Sequence, residues 1–311
     1  MEIIDLHCDV LEKLSRLEDV QFRNDSRLHA SLENLKRGNV KVQIFAIFIE
    51  PHIPQEQKFT EALRQVEAFQ TKVLNEPEMV HITNWKQLNE LQDGQIGAVL
   101  SLEGCDCIGD DLYKLKLLLD AGVKLVGLTW NYENAVGYGA SESPDKGLKP
   151  FAKQVIELLN EHDVIIDVAH LNKQGFDDLL PLAKHLIASH CNARALCDHP
   201  RNLSDDQIKQ LVQHGGRIHV VFYPPFVKKS KEVTTIDDLI KHITHIAALV
   251  GVERIGFGSD FDGIDLTVEQ LTNASEYQNI TSALSKTFTQ SEIETMASKG
   301  FLKYLSEIGM R

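Results

Sequence analysis

Eight short apolar runs rich in β-formers recur along the 311-residue chain, each followed by a stretch of helical pattern. They are Ile3 to Asp9, Val40 to Ile49, Gly97 to Glu103, Val123 to Asn131, Val164 to His170, His185 to His190, Arg217 to Tyr223 and Arg254 to Asp260. Strands alternating with helices imply βαβ units and a parallel sheet. The run interiors are nearly all apolar, as strands covered on both faces must be. Between them, Phe59 to Leu74 places Leu63, Val66, Phe69 and Val73 near a helical period. Leu112 to Leu119 and Phe151 to Leu159 behave alike. Ser204 and Gln207 have the spacing of a capping box. Asp237 to Val250 opens with acids and stops before Gly251. The polar stretch Pro51 to Phe59 and the Gly- and Ser-rich stretch Tyr132 to Pro150 read as βα loops. No repeat, low-complexity tract or linker divides the chain. Length alone would allow two domains of ~150 residues. Eight strand–helix units in one uninterrupted chain instead predict an α/β fold, a (β/α)8 TIM barrel forming a single domain over 1–311 with long βα loops. A doubly wound open sheet is the alternative, but no Gly-rich phosphate loop follows the first run.

Most of these runs end in a side chain that can do chemistry. The first ends at His7 and Asp9, the third at Glu103, the fourth at Asn131, the fifth at His170, the sixth at His190 and the eighth at Asp260. Barrel active sites lie at the C-terminal ends of the strands, so placement and inventory agree. His7 and Asp9, two apart on a strand, would face one side. Each residue has an ordinary structural explanation as well. Asp9 could cap the next helix, Glu103 could cap a helix after Gly104, and Asp260 and Asp262 beside Gly263 could form a turn. Those explanations do not account for three histidines and three carboxylates at the ends of apolar runs, where buried charge needs partners or metals. His7, Asp9, Glu103, His170 and His190 offer nitrogen and oxygen donors without thiolate, which suits zinc or a similar divalent ion.

Composition narrows the class of partner. With 32 basic and 45 acidic residues the formal charge is −13, which disfavours nucleic acid and anionic membranes. The five cysteines have neither CxxC spacing nor an even count, so reduced thiols and a cytoplasmic location are expected. No run reaches the ~18 apolar residues of a membrane span. No leader or lipid-anchor signal is read at either terminus.

The motifs, taken together, resemble the renal (membrane) dipeptidase family. They are Asp5-Leu6-His7-Cys8-Asp9, Ser101-Leu102-Glu103-Gly104, Leu128-Thr129-Trp130-Asn131, Asp167-Val168-Ala169-His170, Ser189-His190-Cys191-Asn192-Ala193-Arg194, His199-Pro200-Arg201-Asn202-Leu203 with Asp205-Asp206, and Gly258-Ser259-Asp260-Phe261-Asp262-Gly263. One such motif is weak, but seven in the family's order across most of the chain are specific. The resemblance implies a barrel with two zinc ions that hydrolyses dipeptides, L-D dipeptides plausibly included, by attack of a metal-bridging hydroxide. It implies that His7 and Asp9 hold one ion, His170 and His190 the other, and that Glu103 bridges both. Asp260 would carry the proton to the leaving amine, and Arg201 would bind the substrate's C-terminal carboxylate. The structural alternative for Arg201 is a salt bridge to Asp205 or Asp206. Tyr223 would line the pocket or simply pack. The likeness also implies a homodimer.

The chain departs from the family at Asn131, where the best-known animal members have a histidine that contacts the substrate. An amide can donate a hydrogen bond but cannot become cationic. Asn131 is therefore expected to orient the substrate or its oxyanion with less electrostatic help. Other readings remain open at this stage. One is another binuclear barrel hydrolase acting on a lactone or cyclic amide, although Asp9 stands where those families resemble one another in a second histidine. Another is a metal-stabilised binding protein without turnover. A third is a barrel whose histidines and acids form a metal-free hydrogen-bonded network.

Overall fold

The computed structural model describes residues 1–311. Its strands are β1 (Ile3–Cys8), β2 (Val40–Phe48), β3 (Met79–His81), β4 (Ile96–Glu103), β5 (Val123–Gly127), β6 (Ile165–Asp167), β7 (Leu186–Ile187), β8 (Ile218–Val220) and β9 (Ile255–Phe257). All pairings are parallel, in the order β7-β6-β5-β4-β2-β1-β9-β8. A bridge between Ala188 and Ile218 joins the two ends of that path. There the Ala188 amide donates to the Arg217 carbonyl and the His219 amide to the Ala188 carbonyl, each at 2.8 Å. The result is the expected eight-stranded barrel. Seven of the eight ring strands fall inside one of the apolar runs, and β4 begins one residue before its run, at Ile96. The sequence reading missed β3, a three-residue strand that pairs with β4 outside the ring.

The barrel buries two sets of side chains. Ile4, Leu6, Val42, Ile44, Val99, Leu125, Ile165 and Ile187 pack together with Phe301, Tyr304 and Leu305 of the C-terminal helix Gly300–Glu307. A larger cluster lies between the strands and the surrounding helices, with Ile3, Phe45, Ile47, Leu100 and Val126 against Leu11, Leu115, Val155 and Ile243. Completely burying such a side chain contributes roughly 1.5–3 kcal/mol, so the ring rests on apolar packing from inside and outside.

The helices differ from expectation at one start. The helix expected from Phe59 begins at Gln55, inside the predicted loop, and continues from Phe69 to Val73 as a π-helical segment. Its first turn is polar and follows Pro54, so the apolar period does not register until later. Ser204 caps the helix Asp205–Gln213 with the expected reciprocal Gln207 bond. Thr235 caps Ile236–Val250 in the same way. Tyr132 to Lys149 holds no helix or strand, and the next helix opens at Pro150.

The last four ring strands are only two or three residues long. His170, His190 and Asp260 therefore lie beyond the strands that lead to them, on backbone free to leave extended geometry. His170 has φ 66°, Asp260 66° and Asp262 72°, all left-handed. Such positions cost of order 1–3 kcal/mol for residues other than glycine, with Asn and Asp tolerating them best. The His170 carbonyl accepts a 2.7 Å bond from the Ala140 amide, which helps hold that turn.

Candidate active site

Five side chains from four parts of the ring converge at its C-terminal end. His7 comes from the end of β1, Asp9 follows it, and Glu103 ends β4. His170 and His190 follow β6 and β7. Asp9 does not reach the site by strand alternation as expected. The register shifts between Asp5 and Cys8, and Asp9 has φ −107° and ψ 25° at the start of the helix Val10–Arg16. It occupies the capping position without accepting a capping bond. Its carboxylate faces His7 instead, with Oδ2 3.4 Å from His7 Nε2. Glu103 likewise caps nothing; Gly104 holds that position before the short helix Cys105–Ile108.

Glu103 divides its two oxygens between two groups of donors. Oε1 lies 2.7 Å from His170 Nε2 and 3.7 Å from His190 Nε2. Oε2 lies 3.3 Å from His7 Nε2. The His170 and His190 Nε2 atoms are 2.8 Å apart, and the His7 and His190 rings stack at 3.9 Å between centroids. Asp260 completes a second cluster, since its carboxylate lies with donor atoms of His7 and Asp9 within 4.8 Å of one another. His7, Glu103 and His190 form a cluster within the same limit.

Two Asp–Ser clamps aim this constellation. Asp167 accepts the Ala169 amide at 3.0 Å and the Ser189 amide at 2.9 Å, and also accepts the Ser189 hydroxyl. Ser189 Oγ lies 2.7 Å from His190 Nδ1. The hydroxyl proton is given to Asp167, so Oγ accepts from the imidazole Nδ1–H, and Nε2 is left as a lone pair. Asp5 repeats the device on β1, accepting the Ser259 amide at 2.8 Å and its hydroxyl at 2.7 Å. That fixes the residue before Asp260. Both pairs stood in the family-like motifs at Asp5, Asp167, Ser189 and Ser259, but no spacing rule showed that they would bond.

The electrostatics separate the histidines. Burial, followed by the Arg201 charge, holds His170 down to about 3. Burial and the nearby His7 and Arg201 charges hold His190 well below the usual imidazole range. Both are neutral at pH 7, the state in which an imidazole nitrogen can donate a lone pair. Burial acts the same way on His7, but the Glu103 and Asp9 charges overcome it and push the group well up. Burial and the neighbouring Glu103 push Asp9 well up. Glu103 is held well below the usual range, because His7 and His170 outweigh its burial. Burial pushes Asp260 up to about 6, with His7 opposing and Glu103 reinforcing.

This donor set fits divalent metal. Buried His7 Nε2 and Asp9 Oδ1 have no hydrogen-bond partner. Two imidazole lone pairs 2.8 Å apart repel unless positive charge lies near them. Three carboxylates gather in a poorly solvated space, and a cation offsets that cost. Gly263 leaves room for the arrangement. A Cβ there would overlap Asp9 Oδ2 and come within 2.7 Å of Asp260 Oδ1. Gly263→Ala is therefore expected to displace both carboxylates. It should lower the turnover this site supports by about 100-fold, as an ångström-scale misplacement does, with an unchanged circular dichroism spectrum. Wild-type kinetics in that variant would show that the carboxylates tolerate the shift.

Above the donors lies a cavity of about 310 Å³ lined by Asp9, Glu103, His170, Asp260, Asn131 and Tyr223, and by Phe48, Glu50, Trp130, Phe226, Gly263 and Ile264. Tyr223 thus lines the pocket, and its hydroxyl donates to Asp265 at 2.8 Å. Asn131 sits at the wall with Oδ1 2.9 Å from His170 Nδ1. Arg201 makes no salt bridge; Asp205 pairs with His245 at 2.8 Å instead. The Arg201 guanidinium lies over the Phe226 ring and is buried against the His190 carbonyl at 3.4 Å. Asp262 does form the turn. It accepts the His29 and Ala30 amides and pairs with Lys13, each at 2.9 Å. Sequence reading missed Phe48, Glu50, Trp130 and Phe226. The strand-end rule marked the place for Phe48 and Trp130, but nothing in the sequence marked Phe226 or Glu50 as facing this pocket.

The membrane dipeptidase family (peptidase family M19) matches residues 1–310. An uncharacterized dipeptidase of Schizosaccharomyces pombe is 30% identical over 304 residues, covering 90% of this chain and 73% of its own. A metallopeptidase from Rhodobacter sphaeroides, solved with a phosphinate mimic of L-Ala-D-Ala, superposes with a TM-score of 0.92 at 22% identity, covering 98% of this chain and 99% of its own. The dipeptidase AC, a metallopeptidase of family M19, gives 0.91 at 23% identity and 98% coverage of both chains. No helix here is long and apolar enough to cross a membrane.

Proposed function

This chain belongs to the membrane dipeptidase family of metallopeptidases, and from that premise we propose that it cleaves free dipeptides, L-D dipeptides included, with two zinc ions bound. His7 and Asp9 would hold one ion and His170 and His190 the other, with Glu103 placed to serve both. The observation that carries this reading is the division of the Glu103 oxygens, one toward each histidine group. Bound there, two ions would supply the positive charge that polarises the scissile carbonyl and makes a nucleophile available at neutral pH.

The chain's own residues do the rest. Asp260 takes a proton from the attacking water and gives it to the leaving amine, and a carboxyl pushed up to about 6 is suited to both transfers near neutrality. Arg201, without a carboxylate partner in the protein, reads the substrate's C-terminal carboxylate with its planar fork. Asn131 and Tyr223 shape the wall and orient the peptide. Phe48, Trp130 and Phe226 give apolar surface for a side chain and limit water. The pocket matches a dipeptide in scale, being near the lower end of the ~300–1,000 Å³ range for small-ligand sites. In this reading residues 1–311 form one catalytic domain.

The test is metal analysis with a kinetic panel of L-Ala-L-Ala, L-Ala-D-Ala and N-acetylated L-Ala-L-Ala. About two zinc equivalents are expected, with turnover of the free dipeptides, little on the blocked one, and loss of activity on chelation that zinc reverses. Bound metal without turnover of either free dipeptide would favour a binding role. Full activity with a single equivalent would overturn the two-ion arrangement.

A further inference from the structure

The two histidines assigned to one ion are oriented by different means. His190 donates its Nδ1–H to Ser189 Oγ, whose own hydroxyl donates to Asp167. His170 has no such chain. Its Nδ1 meets only Asn131 Oδ1, at 2.9 Å. Asn131 is itself fixed, since its carbonyl accepts the Ser141 amide at 2.9 Å and the next segment reaches back to His170 through Ala140 at 2.7 Å. A Cβ on Gly139 would overlap the Trp130 and Asn131 backbone, so this crossing is close packed.

Chemistry decides which way the amide points. If Asn131 Nδ2 faced the ring, it would require a lone pair on Nδ1, and the ring proton would move to Nε2. That proton would stand between His170 and both Glu103 Oε1 and His190 Nε2, where a metal donor needs a lone pair. With Oδ1 facing the ring, Nδ1 carries the proton and Nε2 is free. Asn131 Nδ2 then has no protein partner, while the residue lines the cavity.

We propose that Asn131 is a positioning residue for His170 as well as a substrate contact, so that one amide couples metal affinity to substrate binding. Its oxygen fixes the ring tautomer, and its NH2 group donates to a substrate oxygen. A histidine at this position could not do both with a fixed pair of opposite groups unless its tautomer were itself fixed. The inference rests on the proposed metal centre, in which His170 is a ligand.

The experiment is a zinc titration against a chromophoric chelator, with wild type, Asn131→Leu and Asn131→Asp, followed by kinetics on L-Ala-L-Ala. Asn131→Leu is expected to weaken one of the two zinc equivalents by about 10–100-fold, the usual effect of losing a partner behind a ligating histidine. Asn131→Asp keeps an acceptor of nearly the same shape and is expected to bind both ions as tightly as wild type. Lacking the NH2 donor, it should still lose about tenfold in kcat/KM. Unchanged zinc affinity in Asn131→Leu overturns the proposal. So does an Asn131→Asp variant that binds zinc as weakly as the leucine variant, because then shape rather than the acceptor matters. If wild type itself takes up no zinc, the metal-centre reading fails and this inference with it.

Discussion

A Glu103→Gln variant is expected to fold, to retain fewer than two zinc ions, and to lose dipeptide turnover by on the order of 1000-fold or more. The reason is geometric as much as electrostatic. One oxygen faces the His170–His190 pair and the other faces His7, so no neighbouring carboxylate reaches both groups. An amide has one oxygen for this task and an NH2 group that repels a cation. The fold does not depend on this side chain, whose polar neighbours are the histidines of the site. Thermal unfolding of the metal-free variant should stay within about 2 °C of metal-free wild type, a change near 1 kcal/mol for a chain of this length. Inductively coupled plasma analysis, a dipeptide assay and a melting curve read the three parts. Near-wild-type turnover with two bound ions would sink the bridging role.

Asp260→Asn should behave differently. Metal content is expected to stay close to two equivalents, because His7, Asp9, Glu103, His170 and His190 remain. Turnover should fall by about 10²–10⁴-fold, the usual contribution of general acid–base catalysis. Burial pushes the Asp260 carboxyl up to about 6, against the opposing His7 charge, a range in which a carboxyl can both take and give a proton and an amide can do neither. The loss should fall on kcat more than on KM, since the group acts on the proton in flight. A variant that loses metal as well would show that Asp260 is mainly a ligand. A variant with unchanged kcat would remove it from the proton path.

Much of this is legible in the sequence, for a definite reason. The ring strands are apolar, so a histidine or carboxylate at the end of one stands out against its run. His7, Glu103, His170, His190 and Asp260 all share that signal. Asp9 was found by the same rule although its expected geometry was wrong, because a register shift and a helix start replaced strand alternation. What did not show depends on contacts between distant segments. Asp167 with Ser189, and Asp5 with Ser259, are ordinary residues until the barrel places neighbouring strands side by side. The bond from Asn131 to His170 crosses 39 positions and depends on which end of an amide faces a ring. Glu50 lies just past an apolar run, and only the cavity shows that it faces the same space as Asp260. Met79–His81 was too short to carry a period, and the helix from Gln55 began with polar residues.

The thinness of β7 has a consequence for motion. Its two residues pair with β6 at only two positions, and on the other side the ring closes through the single bridge at Ala188. The amide and hydroxyl of Ser189 bond to Asp167 just where the ladder runs out, so side-chain bonds finish the seam that the backbone leaves short. A barrel opens first where it has fewest interstrand bonds. His190 and the loop carrying Arg201 both follow β7, whereas Glu103 closes the eight-residue β4, which shares seven register pairs with β2. The site thus spans two levels of interstrand pairing, with Glu103 on the most extensively paired staves and His190 and Arg201 following one of the most sparsely paired.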